Sequence, residues 1–249
     1  MTGNMTADTI GIPAATPSAA TPSLDSLLVS LQLTDSAFPS GLYTLSHGLE
    51  GYAQAKQVDA DLLPALLADL LRHSVGPADA TALALAHRAA VVEDWDAVVE
   101  VDERLHASKL NRELRLASTR TGRQMLDTAH LALGGEALDR YAELVTARRS
   151  PGCQAVAAGV AYAAGGVPTE QAVASDLFAF AVSFVGAGLR LRLTDHRRAQ
   201  TTLRALAPVI AEVTAGALER QLADLGGCTP VADAMSGRHE RAEARMFAS

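Results

Sequence analysis

The chain has 249 residues, of which 49% are hydrophobic, and its 21 basic and 28 acidic side chains give a formal net charge of −7. This composition supplies enough apolar surface for a folded core, which excludes wholesale disorder, and it lacks the strong positive charge of a nucleic-acid-binding protein. The two cysteines, Cys153 and Cys228, are too few for a disulfide framework or a four-cysteine zinc site. We therefore expect a reducing, cytoplasmic setting.

The first part of the chain predicts a tail followed by two short helices. Residues 1–23 are rich in Thr, Ala, Pro, Ser and Gly, and they lack the charged start and the apolar run of a secretory signal. We expect them to form a disordered tail. Residues 24–33 predict a short helix, and Pro39 and Gly41 mark a turn after it. A second helix is expected over residues 42–52, because leucines recur there at helical spacing.

The rest of the chain predicts a series of helices that end at glycine and proline. In chain order they cover residues 61–73, 79–92, 94–108, 107–133, 136–149, 153–164, 168–190 and 194–225. Gly76-Pro77 is expected to end the first of these, and Pro208 should kink or split the last. We therefore predict an all-α fold, a single compact bundle of roughly ten helices over residues 24–230, followed by a C-terminal arm at 231–249.

The most apolar window of the chain covers residues 177–189. It is shorter than the roughly 20 residues that a membrane-spanning helix needs. A buried core helix is therefore predicted, and no membrane partner.

Common catalytic signatures are absent from the sequence. It contains no phosphate loop, nucleophile elbow, HExxH zinc motif or dinucleotide fingerprint. The seven histidines are scattered, whereas a nickel or zinc store needs clusters of ligands. No catalytic, cofactor-binding or metal-binding residue is therefore predicted, although a metal site assembled in space or between two subunits stays open.

Two segments are more specific than ordinary loop or helix sequence. The first is residues 31–50, where Gly48 falls inside a predicted helix at a cost of up to about 1 kcal/mol relative to alanine. Close approach of another backbone would offset this cost; the alternative is a tolerated helix glycine. The second is residues 238–249, which combine three arginines with Met246-Phe247. They predict either an arm that docks on a partner and is mobile in the free protein, or an ordinary solvated end.

These segments belong to four motifs that resemble, in the same order, those of the urease accessory protein F (UreF) family. The matching positions are Leu31-Gln32-Leu33, Pro39, Gly41, Ser46 and Gly48-Leu49-Glu50 near the start, Glu113-Leu114-Arg115, Ser118 and Gly122 in the middle, Arg190-Leu191 and Gln200 later, and Arg238-His239-Glu240, Arg245, Met246, Phe247 and Ser249 at the end. The chain departs from the family over residues 193–200, where a stretch like P-L-G-Q-T-D-G-Q is usual.

The resemblance implies an adaptor rather than an enzyme. Such a protein forms a homodimer, binds the accessory protein called D or H, and recruits the nickel-carrying GTPase G, so that nickel enters apo-urease; it is also implied to modulate GTP hydrolysis. Nickel is then handled by the complex, and no cofactor is assigned to this chain. The partner-binding residues that the resemblance implies are Ser46, Gly48, Leu49, Glu50, Arg115, Arg190, Gln200, Arg238, His239, Glu240, Arg245, Met246, Phe247 and Ser249. Glu50 is expected to act towards the GTPase, and the arm towards D/H.

Two other functions stay open from the residues alone. One is a nickel-binding metallochaperone that uses His239 or Cys228, and the other is a helical enzyme acting on a small apolar substrate inside the bundle. The scattered histidines disfavour the first, and the absence of a DDxxD carboxylate pair disfavours the second.

Overall fold

The structure describes residues 23–248, and most of these residues lie in helices. In this computed structural model that part contains twelve α-helices and no β-strand, so the predicted all-α fold is confirmed. The helices are α1 (Leu24–Thr34), α2 (Leu49–Gln54), α3 (Leu63–Leu70), α4 (Thr81–Val91), α5 (Trp95–Ser108), α6 (Arg112–Leu133), α7 (Glu136–Thr146), α8 (Gln154–Ala164), α9 (Thr169–Arg190), α10 (His196–Ala205), α11 (Ala207–Glu219) and α12 (Pro230–His239). Residues 1–22 of the predicted tail, and Ser249, lie outside the described residues.

Several helices begin at the side chains that sequence rules favour. The Ser23 hydroxyl accepts the Ser26 N–H at 3.0 Å at the start of α1, and an Asp94 oxygen accepts the Ala97 N–H at 3.1 Å at the start of α5. A short polar side chain at this position satisfies a backbone donor that the helix itself leaves unpaired. The helix boundaries predicted near these residues are correct for that reason.

Helix α8 lies at the centre of the bundle. Its residues from Ala155 to Tyr162 are buried, and it packs against α4, α6, α7 and α9. A Cβ atom added to Gly159 would lie 2.7 Å from the Leu83 carbonyl oxygen of α4, so only a glycine allows this approach. Because α8 is enclosed, its small residues serve packing inside one chain and give no surface for self-association.

The longest apolar helix, α9, is also part of the core. Among the described residues it is the one helix whose length and composition would suit a membrane span, and 56% of its most apolar window is buried inside the fold. It packs against α1, α4, α8, α10 and α11. These contacts agree with the prediction of a buried core helix.

Two sequence predictions of helix boundaries are wrong. Residues 42–52 form no continuous helix: Leu42–Thr44 is one short 3-10 turn, and α2 begins only at Leu49. Gly76-Pro77 does not end a helix, because Leu71–Ala80 is a π-helical stretch that joins α3 to α4. The split expected at Pro208 is confirmed, since α10 and α11 are separate helices on either side of Leu206.

Candidate functional site

The chain end packs against three distant parts of the bundle. Six residues contact one another there, and we call them the chain-end cluster: Glu50, Glu113, Arg190, His239, Arg245 and Phe247. Glu50 comes from the first turn of α2, Glu113 from the first turn of α6, and Arg190 from the last turn of α9. The sequence spacing of these residues gives no direct indication that they meet.

Glu50 binds the backbone of the chain end. One of its carboxylate oxygens accepts the Met246 N–H at 2.8 Å, and the other accepts the Phe247 N–H at 3.0 Å. Burial alone would raise the pKa of the Glu50 carboxyl, but the Met246 N–H, the His239 ring and the Phe247 N–H outweigh burial and hold the pKa below its ordinary value. These hydrogen bonds therefore favour the ionised form of the Glu50 carboxyl.

His239 joins the two buried carboxylates. Its Nε2 lies 2.8 Å from a Glu50 oxygen, and its Nδ1 lies 3.1 Å from a Glu113 oxygen. Ionised carboxylates only accept hydrogen bonds, so both contacts are hydrogen bonds when the ring carries both protons. The ring is buried at the end of α12 and thereby links this helix to α2 and α6.

The last residues complete the cluster through a cation and two aromatic rings. The Arg190 guanidinium carbon lies 4.3 Å from the centre of the Phe247 ring and 4.0 Å from the centre of the Tyr43 ring. An Arg245 nitrogen donates to Glu113 at 3.1 Å, and the Ala248 N–H donates to the Thr44 carbonyl at 2.9 Å. The segment before α2 and the last residues of the chain thus form one surface.

Exposure separates the two apolar residues of the chain end. Phe247 is 5% exposed and belongs to the chain's own packing, whereas Met246 is 64% exposed. Arg238 and Arg241 are also exposed. The arm predicted to be mobile is therefore docked on the bundle in this structure. Of the pair Met246-Phe247, Met246 is the side chain open to a partner.

The structure divides the other predicted site residues into three groups. Ser46, Gly48 and Leu49 are buried at the start of α2, where they shape the backbone that carries Glu50. Arg115 lies outside the cluster and donates to the Lys109 and Leu110 carbonyls, which closes the loop before α6. The exposed Gln200, the exposed Arg238 and the half-buried Glu240 make no contact with the six residues of the cluster among the hydrogen bonds and ion pairs of residues 23–248, and Ser249 lies outside the described residues.

Gly48 is needed for a different reason from the one predicted. It precedes α2 with φ +84°, a left-handed conformation that favours glycine, and no atom lies within 4 Å of a Cβ added there. The close approach of a second backbone occurs instead at Gly51, where an added Cβ would lie 2.6 Å from the Met235 carbonyl oxygen of α12. Gly51 thereby lets α12 approach Glu50.

Sequence reasoning did not select Glu113, Tyr43 and Gln54 as site residues. Glu113 is a member of the cluster and binds His239, Tyr43 contacts the cluster through Arg190, and the Gln54 amide donates to the Ala244 carbonyl at 3.1 Å. Glu113 falls within one of the recognised motifs, so its motif position was an available signal. Gln54 follows Glu50 by one helical turn, and that spacing was the signal for it.

A cavity of about 150 Å³ lies between the helices, is partly open to solvent, and has His47, Ser118, Asp176 and Ser236 among its lining residues. Burial raises the pKa of Asp176 to about 6, and burial together with the charges of Arg190 and Lys109 lowers the pKa of His47 to about 3. Burial thus disfavours the charged form of both groups relative to water.

Metal ligation is not built into the described part of the chain. Between residues 23 and 248 no group of three or more His, Cys, Asp or Glu side chains is arranged to hold a metal ion. In the chain-end cluster the two carboxylates bind opposite nitrogens of His239, so the three side chains do not converge on one point.

Comparison with known proteins identifies one family. The UreF family model matches residues 58–207. A protein named urease accessory protein UreF from Rhodopseudomonas palustris (strain BisB18) is 36% identical over 215 residues, which cover 86% of this chain and 88% of the relative. A urease accessory protein UreF from Kocuria rhizophila is 32% identical, and the match covers 92% of this chain and 99% of the relative. A urease accessory protein UreF 2 from Brucella canis is 29% identical, and the match covers 90% of this chain and 93% of the relative.

Proposed function

The chain belongs to the urease accessory protein F (UreF) family, whose members act in urease maturation, and we propose that it serves there as a non-catalytic adaptor. It bridges the D/H accessory protein and the nickel-carrying GTPase G, so that nickel is inserted into apo-urease. In the assembled complex it also modulates GTP hydrolysis by the GTPase. It works in the cytoplasm as a homodimer, and nickel is handled by the complex.

The chain-end cluster is the observation that supports this role. It fixes a surface to which Tyr43, Arg245 and Met246 contribute exposed side chains, and the Ala248 N–H joins the chain end to the Thr44 carbonyl next to Tyr43. Tyrosine, arginine and methionine are residue types enriched at protein interfaces. A rigid surface of this kind binds a partner with less loss of conformational entropy than a free tail does.

Glu50 lies under this surface and holds the chain end in place. The carboxylate is buried and occupied by the Met246 and Phe247 N–H groups, so it does not itself reach a partner. Its expected influence on the GTPase is therefore indirect. It is a positioning residue that holds Arg245 and Met246 in the geometry that the partner recognises.

Co-purification tests the adaptor role. The tagged chain is expressed with D/H and G, and the recovered proteins are quantified with and without GTP. We expect wild type to hold both, and the double variant Tyr43→Ala/Met246→Ala to lose at least one of them together with urease activation. Leu131→Ala is the control, because Leu131 is exposed on α6 and lies outside the cluster. Equal recovery of both proteins by the double variant and the control contradicts the assignment of this surface.

A further inference from the structure

We propose that one side of α6, together with the turn after α7, binds an acidic surface of a protein partner. We call this surface the arginine face, and it consists of Arg112, Leu116, Arg120, Arg123, Arg148 and Arg149. The inference rests on the adaptor role in the proposed function and adds the place of contact and the chemistry of the partner. The arginine face lies beside the chain-end cluster and shares no residue with it.

Helical spacing puts the four α6 members of the face on one side of the helix. Residues 112, 116, 120 and 123 follow one another at steps of three or four residues, which makes their side chains neighbours on the helix surface. All four are exposed, and Leu116 in the middle of the three arginines is 53% exposed. The opposite side of α6 is buried and packs against α8. The four side chains therefore form one stripe that faces solvent.

The turn after α7 adds two exposed arginines next to this stripe. Arg148 and Arg149 lie in that turn, which continues to Gly152. The Arg123 side chain packs there, since a Cβ atom added to Gly152 would lie 3.5 Å from the Arg123 Cγ atom. The buried Asp102 carboxylate accepts the Gly152 N–H at 2.7 Å and so holds the turn in place. The backbone that carries the two arginines is thus fixed to the core of the bundle.

The positive charge of the arginine face is not neutralised inside the described chain. Its five arginines take part in none of the ion pairs formed within residues 23–248. Arg120 donates to a neutral group, the Thr44 hydroxyl, at 3.0 Å. Of the two acids on α6, Glu113 is buried in the chain-end cluster and Asp127 pairs with none of these arginines. The face is therefore locally positive on a chain whose net charge is −7.

This chemistry fits an acidic protein surface better than a nucleic acid or a membrane. The planar guanidinium group of arginine binds carboxylates through two parallel hydrogen bonds. An apolar residue surrounded by charged ones, as Leu116 is, has the arrangement of a protein interface with a polar rim. Nucleic-acid binding favours a strongly basic protein, which the net charge of −7 does not give. A membrane-surface helix carries several large apolar residues on one side, and this stripe has only Leu116.

The arginine face continues the surface that the chain-end cluster fixes. Thr44 joins the two, because its hydroxyl accepts the Arg120 N–H and its carbonyl accepts the Ala248 N–H at 2.9 Å. At the start of α6, Arg245 of the docked chain end binds Glu113. One partner can therefore cover the apolar side chains of the chain end and the arginines of α6 in a single contact. Charge complementarity over the arginine face then speeds association and selects the partner.

Binding of the purified full chain to purified D/H, and to G together with D/H, is measured by biolayer interferometry at about 0.05 M and about 0.5 M NaCl. We expect the wild-type affinity for at least one of these partners to fall at least about tenfold at the higher salt, because salt screens exposed charges. The variant Arg123→Glu/Arg149→Glu should bind that partner at least about tenfold more weakly at the lower salt, since like charges then face each other. Neither residue hydrogen-bonds to the chain end among the described residues, so a weaker contact does not come from a released chain end.

Two further variants control for charge and for the apolar centre. Arg104→Glu/Arg140→Glu changes the net charge equally at exposed positions on α5 and α7 outside the face, and it should bind as wild type does. Leu116→Ala should weaken binding about tenfold at both salt concentrations, because an apolar contact is not screened by salt. Circular dichroism checks that each variant folds.

The outcomes separate the arginine face from the adaptor role. If wild type binds neither D/H nor G, both are wrong. If the Arg123/Arg149 variant binds as wild type does, or no more weakly than the Arg104/Arg140 control, the adaptor role stands and the arginine face is wrong. Fluorescence anisotropy with a DNA duplex of about 20 base pairs at about 0.15 M NaCl tests the other polyanion. Duplex binding that the Arg123/Arg149 variant loses, with unchanged affinity for D/H and G, assigns the face to nucleic acid and overturns the proposal. A salt-dependent loss of D/H or G that is confined to the Arg123/Arg149 variant supports it.

Discussion

The Glu50 carboxylate accepts hydrogen bonds from two consecutive backbone N–H groups in a segment almost 200 residues away in the sequence. Such contacts tie the chain end to the first turn of α2 through one side chain. The sequence indicated that Glu50 was special, because it ends the first recognised motif. It did not indicate that the residue is buried, since burial depends on the approach of Met235 to Gly51 from α12.

Glu50→Gln should release the chain end. The amide keeps the size of the side chain but removes the charge and replaces one acceptor oxygen with a donor, which then faces a backbone N–H. We expect a loss of about 1–3 kcal/mol of local stability. Hydrogen exchange read by mass spectrometry should show faster exchange at Met246 and Phe247. Glu100→Gln is the control because Glu100 is exposed on α5. Unchanged exchange at Met246 and Phe247 in Glu50→Gln contradicts the role of Glu50 in holding the chain end.

Asp176 gives the fold a measurable dependence on pH. Burial raises its pKa to about 6, although the Gln154 amide, which donates to it at 2.9 Å, acts in the opposite direction. The folded state then holds this proton more tightly than the unfolded state. Its contribution to stability is therefore present below about pH 4 and is lost as the pH rises to about 6.

Asp176→Asn should remove that dependence. We expect the variant to be more stable than wild type by up to about 3 kcal/mol at pH 7.5, and the difference should shrink towards pH 4.5. Urea denaturation at both pH values measures it. Asp96→Asn, at an exposed position on α5, controls for the general effect of removing a carboxylate. If Asp176→Asn gains the same stability at both pH values, Asp176 is not the source of the pH dependence.

Packing of α6 on α8 depends on Gly122. A Cβ atom added there would overlap the Gly152 carbonyl oxygen and lie 2.6 Å from the Cys153 carbonyl carbon, both of them backbone atoms. The adjoining loop is held by Asp102, which accepts the Gly152 N–H at 2.7 Å and the Cys153 N–H at 2.9 Å. Neither side of the contact can therefore move without breaking buried hydrogen bonds.

Gly122→Ala should consequently lower the free energy of unfolding by at least about 2 kcal/mol. Gly186→Ala is the matched control in α9, because nothing lies within 4 Å of an added Cβ there. We expect this control to be neutral or to stabilise by up to about 1 kcal/mol, as alanine favours helix. Thermal and urea unfolding of both variants measure the difference, and similar values for the two exclude the close contact.

Elements with strong local signals were predictable from the sequence. Helices α1, α5 and α9 have apolar periodicity or a capping residue, and their boundaries are close to those predicted. The π-helical stretch Leu71–Ala80 was not predictable, because the residues that satisfy it are remote. The Pro77 carbonyl accepts the Gly226 N–H at 3.1 Å, and the His73 carbonyl accepts the Cys228 N–H at 2.9 Å.

The candidate site was predictable in part. The recognised motifs selected Glu50, Arg190, His239, Arg245 and Phe247, which the structure brings together. The pairing of His239 with Glu113 spans 126 residues and has no local signature in the sequence. The roles of these residues towards a partner stay predictions.

At the scale of the whole molecule, nickel binding separates an adaptor from a metallochaperone. Both nitrogens of His239 are occupied by carboxylates, and Cys228 is an exposed single thiol. No group of three or more ligating side chains is arranged for a metal ion in the described range 23–248. A nickel ion would thus have to displace an existing contact of His239 or bind to isolated ligands, which gives low affinity.

We therefore expect the purified chain to bind Ni²⁺ with a dissociation constant weaker than about 10 µM. Isothermal titration at pH 7.5 with wild type, His239→Ala and Cys228→Ala measures it. The adaptor function predicts weak binding that is the same for all three, because neither side chain is part of a nickel site. Tight binding by wild type that either substitution abolishes contradicts the adaptor and favours the metallochaperone. Titration of the complex with D/H and G, run in parallel, shows whether a nickel site forms only on assembly.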